Sequence, residues 1–218
     1  MGFDRSRALT HRIAAYLLAY PDEELRAMLP QLWEASAELP ARFGAPLREM
    51  LDHLDTTTLL AAQQHYVETF DLRRRCCQYL SYWSTGDTRN RGRAIVDFKR
   101  IYRSAGVLPP EDELPDHLTV VLEFAATTDQ ALGTALLVNH HAGLALLAKA
   151  LHDQGTVYAR AVDAVLATLP TPTPEALRAA ERIAATGPPQ ESVGMAGPLL
   201  PFPAARPETT AEQTGVRR

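Results

Sequence analysis

Apolar residues recur at intervals of three and four along most of this chain, and this spacing constrains the fold more than any other feature. Ile13, Tyr16, Leu17 and Tyr20 form the first example, since residues at this spacing share one face of an α-helix. The aromatic run 79–83 has the composition of a strand, but the chain offers no second strand to pair with it. We therefore predict an all-α fold in which 79–83 is helical.

Turn and cap residues divide the helical pattern into separate segments. Pro21 breaks the first segment, and Asp22-Glu23-Glu24 supplies the acidic first turn of the second. Further helix starts are predicted at Thr56–Thr58, at Gly86-Asp87-Thr88 and at Asp129, and Pro174 suits a first helical turn. The predicted helical segments are 13–20, 25–39, 47–54, 59–70, 79–83, 94–106, 118–125, 130–152, 156–169 and 174–185. Because 130–152 is apolar on almost every face, we expect one long helix at the centre of a bundle.

The chain changes character after Gly187. Residues 187–218 contain six prolines and four glycines and show no helical period. A segment of that composition buries too little apolar surface to offset the entropy lost on ordering. We therefore predict one all-helical domain over residues 1–186, a single helical bundle, followed by a disordered tail over 187–218.

Composition excludes several classes of protein. Lys and Arg number 22 against 26 Asp and Glu, for a net charge of −4, whereas general nucleic-acid binders are usually basic. The apolar run 142–148 is far shorter than the ~20 residues of a membrane span, and residues 1–5 lack the apolar core of a secretory signal. Cys76 and Cys77 are adjacent and poorly placed for a disulfide, so we expect free thiols. We predict a cytoplasmic protein with no nucleic-acid partner and no membrane insertion.

Charge is spread unevenly along the chain. Residues 73–103 carry nine cations and two acids, whereas 104–148 carry six acids and no Lys or Arg. In one interpretation the two stretches neutralise each other across the bundle. In the other, the acidic connection stays exposed beside an apolar groove and attracts a short peptide that carries arginines and leucines. The sequence leaves both interpretations open.

The pair Asp116-His117 could support chemistry, and it gives a metal-dependent hydrolase as an alternative function. Neither a second spaced His nor a distant Asp completes a hydrolase ligand set. Glu113, Asp116 and Glu123 have helical spacing, but the chain lacks the Glu-x-x-His repeats of carboxylate metal bundles. Two adjacent imidazoles, His140 and His141, point about 100° apart on a helix and cannot easily share one metal. We therefore predict no catalytic residues and no metal site; a helical scaffold with an unrelated partner is a further alternative.

Three stretches resemble a known family. These are Tyr66-Val67-Glu68-Thr69-Phe70-Asp71-Leu72-Arg73-Arg74-Arg75-Cys76, then Tyr79-Leu80-Ser81-Tyr82-Trp83 with Gly86-Asp87-Thr88-Arg89-Asn90-Arg91-Gly92, and then Glu113-Leu114-Pro115-Asp116-His117 with the residues up to Phe124. They resemble the NarJ-type assembly chaperones of respiratory nitrate reductase, also called the nitrate reductase delta subunit. The last stretch is also similar to the Glu-x-x-Asp-His motif of the wider TorD-like family of redox-enzyme maturation chaperones.

The resemblance implies a TorD-like helical chaperone with no enzymatic activity and no cofactor of its own. Its partner would be the apo catalytic (alpha) subunit of nitrate reductase, bound chiefly through that subunit's N-terminal segment until the molybdenum cofactor is inserted and before membrane docking. Contact with the machinery that delivers the cofactor is a further implied partnership. By motif match, the client-binding positions are Glu113, Asp116 and His117, and the weaker candidates for the peptide groove are Tyr79, Tyr82, Arg89 and Arg93.

Overall fold

Helix caps set the start of most elements in the computed structural model, which describes residues 3–109 and 111–190. The carboxylates of Asp4, Asp22 and Asp129 accept hydrogen bonds from backbone N–H groups of the first turns that follow them. Within the described residues the helices are α1 (Arg5–Leu17), α2 (Glu23–Ala37), α3 (Ala41–Thr56), α4 (Leu59–Tyr66), α5 (Leu80–Thr85), α6 (Arg89–Ser104), α7 (Leu118–Thr127), α8 (Gln130–Asn139), α9 (His141–Asp153), α10 (Tyr158–Thr168) and α11 (Pro174–Thr186).

The predicted all-α fold is confirmed. In the described part of the chain the β contact is a single antiparallel bridge between Tyr79 and His117, which is too short to form a sheet. The segment 79–83 is helical from Leu80 onward, with Tyr79 as the residue before the helix. Gly86 ends α5 with a φ of 62°, Thr88 caps α6, and Pro174 occupies the first turn of α11, as the sequence predicts.

Helix α1 lies at the centre of the packing. It contacts α7, α10, α2 and α3, and α10 also packs against α3 and α9. Side chains such as Ile13, Leu47 and Val162 are fully buried between these helices. On the other side of α9 lie α5 and α11, so the short helix α5 is held between the bundle and the start of α6.

The prediction of one long helix over 130–152 is wrong. The chain bends by 69° at His140, between α8 and α9. Each half packs closely through a glycine against a different element: a Cβ on Gly133 would overlap Ala125 of α7, and a Cβ on Gly143 would lie 2.7 Å from the Trp83 ring. The two halves on either side of the bend therefore pack against different helices.

Within the described ranges, no single helix has both the length and the apolar composition needed to cross a membrane. The bent pair α8 and α9 meets those two criteria only when its halves are taken together.

The predicted division into a domain over 1–186 and a disordered tail over 187–218 stays a prediction. Helix α11 ends at Thr186, and residues 187–190 follow it without helical structure. Residues 191–218 of the predicted tail lie outside the described residues.

Burial of His11 in α1 gives the fold a dependence on pH. The Thr168 hydroxyl donates to the Val165 carbonyl at 2.7 Å, so His11 Nε2–H donates to Thr168 Oγ1 at 2.8 Å. The other ring nitrogen, Nδ1, is buried without a partner in the described part of the chain. Desolvation by burial, with a smaller contribution from Arg7, lowers the pKa of His11 to about 4.

We expect acid to destabilise the wild-type protein more than a His11→Gln variant. Below pH 6.5 the unfolded chain takes up a proton on His11, whereas the folded chain does not until about pH 4. The free energy of unfolding therefore decreases as the pH is lowered from 6.5 to 4. From pH 7 to pH 5 this one group removes about 2 kcal/mol of the free energy of unfolding. Urea unfolding at both pH values measures it. Equal losses in the two proteins would show that His11 titrates normally.

Candidate functional site

The segment 113–117 is joined to the start of α5 by backbone hydrogen bonds. Leu80 N–H donates to the Asp116 carbonyl at 2.9 Å, and Leu118 N–H donates to the Gln78 carbonyl at 3.0 Å, on either side of the bridge between Tyr79 and His117. Tyr79 and His117 are the residues that precede α5 and α7. The Glu-x-x-Asp-His motif therefore fixes the relative position of two helix starts.

Asp116 lies in the interior. Its side chain is fully buried, and its Oδ2 accepts hydrogen bonds from Ser81 Oγ at 2.6 Å and from Ser81 N–H at 3.2 Å. The carboxylate thus caps the N-terminus of α5 from a distant part of the chain, where the helix dipole favours negative charge. The interpretation in which the whole acidic connection stays exposed is wrong for Asp116, because its carboxylate caps α5, whose own flanking residue, Tyr79, provides no cap.

His117 is also largely buried, but it lies at the floor of a pocket. Its Nδ1 is 2.7 Å from Thr119 Oγ1, and its ring meets the Tyr79 ring edge-on, with centroids 5.0 Å apart. Burial lowers the pKa of His117, although the carboxylates of Glu113 and Asp116 oppose that shift. A neutral imidazole is therefore the stable form here, and it fills space between Tyr79 and α7.

The pocket above His117 has a volume of about 330 Å³. Its apolar wall is aromatic and comes from Tyr66, Phe70, Tyr79 and Tyr82. Its charged residues are three acids and three arginines: Asp71, Asp87, Glu113, Arg73, Arg74 and Arg91. The structure therefore brings four predicted site residues, Tyr79, Tyr82, Glu113 and His117, around one opening, with Asp116 buried behind it.

The charges at this opening are partly satisfied within the protein. Arg91 pairs with Asp87 at 3.0 Å, and Arg73 Nε–H donates to the Glu68 carbonyl at 3.0 Å. Glu113 Oε1 accepts from the Tyr79 hydroxyl at 3.1 Å and from Leu114 N–H at 2.7 Å, while its Oε2 has no partner among the described residues. An incoming cation can therefore reach one oxygen of an already oriented carboxylate.

Tyr79 lies at the centre of this arrangement. The Arg91 guanidinium lies over its ring at 5.1 Å from the centroid, its hydroxyl bonds Glu113, and its edge meets His117. Burial first, and the nearby Glu113 carboxylate second, raise the pKa of Tyr79 to about 12. The hydroxyl consequently stays protonated and donates to Glu113 throughout the physiological range.

Arg89 and Arg93 are exposed on α6 and do not line this pocket. The arginine of α6 that lines it is Arg91. Residues two apart on a helix point about 200° apart, so Arg91 faces away from the side that carries Arg89 and Arg93. The sequence contains the signal for Arg91: it lies three, four and seven residues before Ala94, Ile95 and Phe98, on the face that packs inward.

Tyr66, Phe70 and Asp71 also line the pocket, although they are not among the predicted site residues. The chain widens into a π-helical turn over Val67–Asp71, directly after α4. Such turns are rare and often lie at functional sites. The pattern of apolar residues alone cannot distinguish this turn from the end of an α-helix.

The hydrolase alternative gains no support from this geometry. Among the described residues there is no group of three or more His, Cys, Asp or Glu side chains that could hold a metal ion. Glu123 forms an ion pair with Arg12 of α1 instead of joining Glu113 and Asp116 in a ligand set. His140 Nδ1 bonds the Leu136 carbonyl at 2.9 Å. Asp116, Glu113, Glu123 and His140 therefore each have a structural partner.

The profile of a known family matches residues 36–163, a range that contains every residue lining the pocket. That family is described as nitrate reductase delta subunit, and the match covers more than half of the chain. The chain belongs to this family. The predicted resemblance to the delta-subunit family is therefore confirmed.

Several curated proteins are similar to this delta-subunit family member. The nitrate reductase-like protein NarX of Mycobacterium tuberculosis (strain H37Rv) is 43% identical over 159 residues, 71% of this chain but only 23% of NarX. NarJ of Bacillus subtilis (strain 168) is 34% identical over 167 residues, 75% of this chain and 89% of that protein. NarJ of Escherichia coli (strain K12) is 34% identical over 157 residues, 71% of this chain and 66% of that protein. The chain thus spans less than a quarter of NarX.

A solved structure has the same fold. A crystal structure described as that of a redox enzyme maturation protein from Archaeoglobus fulgidus superposes with a TM-score of 0.56, over 77% of this chain and 94% of that one. The identity is 23%, so this likeness concerns the fold. It supports the predicted helical architecture of the redox-enzyme maturation type for this delta-subunit family member.

Proposed function

We propose that this chain is an assembly chaperone for respiratory nitrate reductase. It binds the apo catalytic subunit in the cytoplasm, chiefly through that subunit's N-terminal segment, and keeps it competent for molybdenum cofactor insertion before membrane docking. The chaperone performs no reaction and holds no cofactor; the cofactor is delivered to the client, and contact with the delivery machinery belongs to the same proposal. The NarJ proteins of Bacillus subtilis and Escherichia coli, both named as nitrate reductase molybdenum cofactor assembly chaperones, support this role.

The observation that carries the proposal is the pocket lined by Tyr79. There an aromatic wall lies beside the Glu113 carboxylate, which two hydrogen bonds already orient. Its volume of about 330 Å³ is at the small end of ligand sites, so it suits one or two anchor side chains rather than a whole peptide. A leucine of the client buries its side chain against Tyr66, Phe70 and Tyr82. Such central buried anchors supply most of the free energy of binding in protein interfaces.

The carboxylates at the pocket then determine which apolar peptides bind. An arginine of the client reaches Glu113 Oε2 and the Asp71 carboxylate at the pocket, while Arg91 is already paired with Asp87. A guanidinium can bond a carboxylate through two parallel hydrogen bonds, which fixes the orientation of the peptide. We therefore expect the client segment to combine leucines with arginines.

Asp116 and His117 act in this proposal by positioning the pocket. Asp116 caps α5, which carries Tyr82 and follows Tyr79, and His117 supports the Tyr79 ring from below. The motif therefore fixes the position of the aromatic wall, and Asp116 itself does not contact the client.

Calorimetric titration tests the proposal with a synthetic peptide of the N-terminal segment of the nitrate reductase catalytic subunit. We expect one peptide per chain with a Kd of about 10 μM or tighter. A peptide of the same composition in scrambled order is the control, and it should produce no saturable heat. Absence of binding by the native peptide at chain concentrations well above that Kd would refute the proposal.

A further inference from the structure

The chain that follows α11 crosses the end of α5. Gly187 ends α11 with a φ of 78°, and Pro188, Pro189 and Gln190 then lie beside Trp83. At Gly86, the residue that ends α5, a Cβ would overlap the Pro189 carbonyl oxygen. The backbone at Pro189 therefore passes directly over the end of α5, and only a glycine at 86 permits that approach.

A cavity of about 580 Å³ lies under this crossing. Trp83 and Ser84 of α5 form one wall, and the other comes from α11, through Ala179, Arg182, Ile183 and Thr186. The Trp83 indole N–H already donates to the Cys77 carbonyl at 3.1 Å, so the ring offers the cavity an apolar surface and no free donor. The cavity has the volume of a small-molecule site and the chemistry to receive apolar side chains.

The sequence beyond Gln190 contains a segment that fits this cavity. Eight residues after Gln190 the chain reads Pro198-Leu199-Leu200-Pro201-Phe202-Pro203. Prolines at this density favour a polyproline II helix, which loses little entropy on binding and docks on aromatic-lined grooves. Eight extended residues span about 28 Å, enough to turn back to the cavity at which Gln190 ends. Pro188 and Pro189 already line the same cavity.

We propose that the segment Leu199–Phe202 of this same chain docks in the cavity beside Trp83. Leu199 and Phe202 place their side chains against the indole and Ile183, and the prolines between and around them hold the segment extended. Docking fastens the C-terminal segment to α5, the helix that also carries Tyr82. The inference goes beyond the proposed chaperone function, because it needs no client.

Fluorescence of Trp83 tests this contact. In a Trp33→Phe background Trp83 is the only tryptophan, since the chain has two. Trp83 is only 6% exposed, so we expect the acrylamide quenching constant to rise about 1.5-fold when the chain is ended at Gln190, because only the edge of the indole that faces the cavity loses its cover. The double variant Leu199→Asp/Phe202→Asp in the full chain should show the same rise, without any change in chain length.

The matched control places the same charges on small residues of the same tail, as Ala204→Asp/Ala205→Asp, and should leave quenching unchanged. A peptide of residues 191–206 added to the shortened chain should restore the low constant. An unchanged constant in the Leu199→Asp/Phe202→Asp variant would overturn the proposal. A constant that depends on protein concentration in the full chain would also overturn it, because the occupant would then be a second copy.

Discussion

Replacing Asp116 with alanine should lower the free energy of unfolding by about 3 kcal/mol. The variant leaves the N–H and hydroxyl of Ser81 without their acceptor in a site where Ser81 and Asp116 are both fully buried. Each lost hydrogen bond to a charged group costs about 1.5–3 kcal/mol. For a chain of this size the midpoint of thermal unfolding should fall by about 9 °C.

Urea unfolding of three variants distinguishes the stability contributed by the hydrogen bonds of Asp116 from that contributed by its charge. Asp116→Asn keeps an acceptor oxygen for Ser81 and should lose about half as much stability as the alanine variant. Asp112→Ala removes an exposed carboxylate of the same connection and should change stability by less than about 0.5 kcal/mol. If Asp116→Ala and Asp112→Ala unfold alike, Asp116 is not the cap of α5.

Replacing Tyr79 with alanine should weaken binding of the client peptide at least about tenfold. The change removes the ring under Arg91, the hydroxyl that orients Glu113 and the edge contact with His117. Tyr79→Phe removes the hydroxyl alone and should weaken binding about fivefold, because one hydrogen bond contributes about 1 kcal/mol. Calorimetric titration of each variant gives these ratios directly.

The control for Tyr79 is Arg100, which lies in the C-terminal part of α6, the helix that carries Arg91. The Arg100 side chain is exposed, so the Arg100→Ala variant should bind the peptide as the wild type does. Arg93→Ala should behave like Arg100→Ala, because Arg93 does not line the pocket. A loss at Arg93 that equals the loss at Tyr79 would move the binding surface to the outer face of α6.

Local signals account for the parts of the fold that the sequence predicts well. Thr88, Asp129 and Pro174 mark helix starts through interactions within one turn, and the structure has a helix at each. The same reasoning cannot find the break at His140, because the two halves pack through Gly133 and Gly143 against two different helices, α7 and α5. Local periodicity contains no information about such partners.

The candidate site follows the same division. The sequence selects Tyr79, Tyr82, Glu113 and His117, and these converge on one pocket. It leaves open whether Asp116 is exposed with the rest of the acidic connection, because the distant partner that buries it, Ser81, is invisible in local sequence. Helical phase would have selected Arg91 over its neighbours, whereas the π-helical turn that brings Phe70 to the pocket has no comparable signal.

Titration of the wild-type chain and of Tyr79→Ala with the N-terminal peptide of the catalytic subunit measures whether this pocket holds the client. We expect one saturable site in the wild type and binding at least about tenfold weaker in the variant, while both proteins stay folded by circular dichroism. Equal affinity of the two proteins would show that the client does not bind in this pocket.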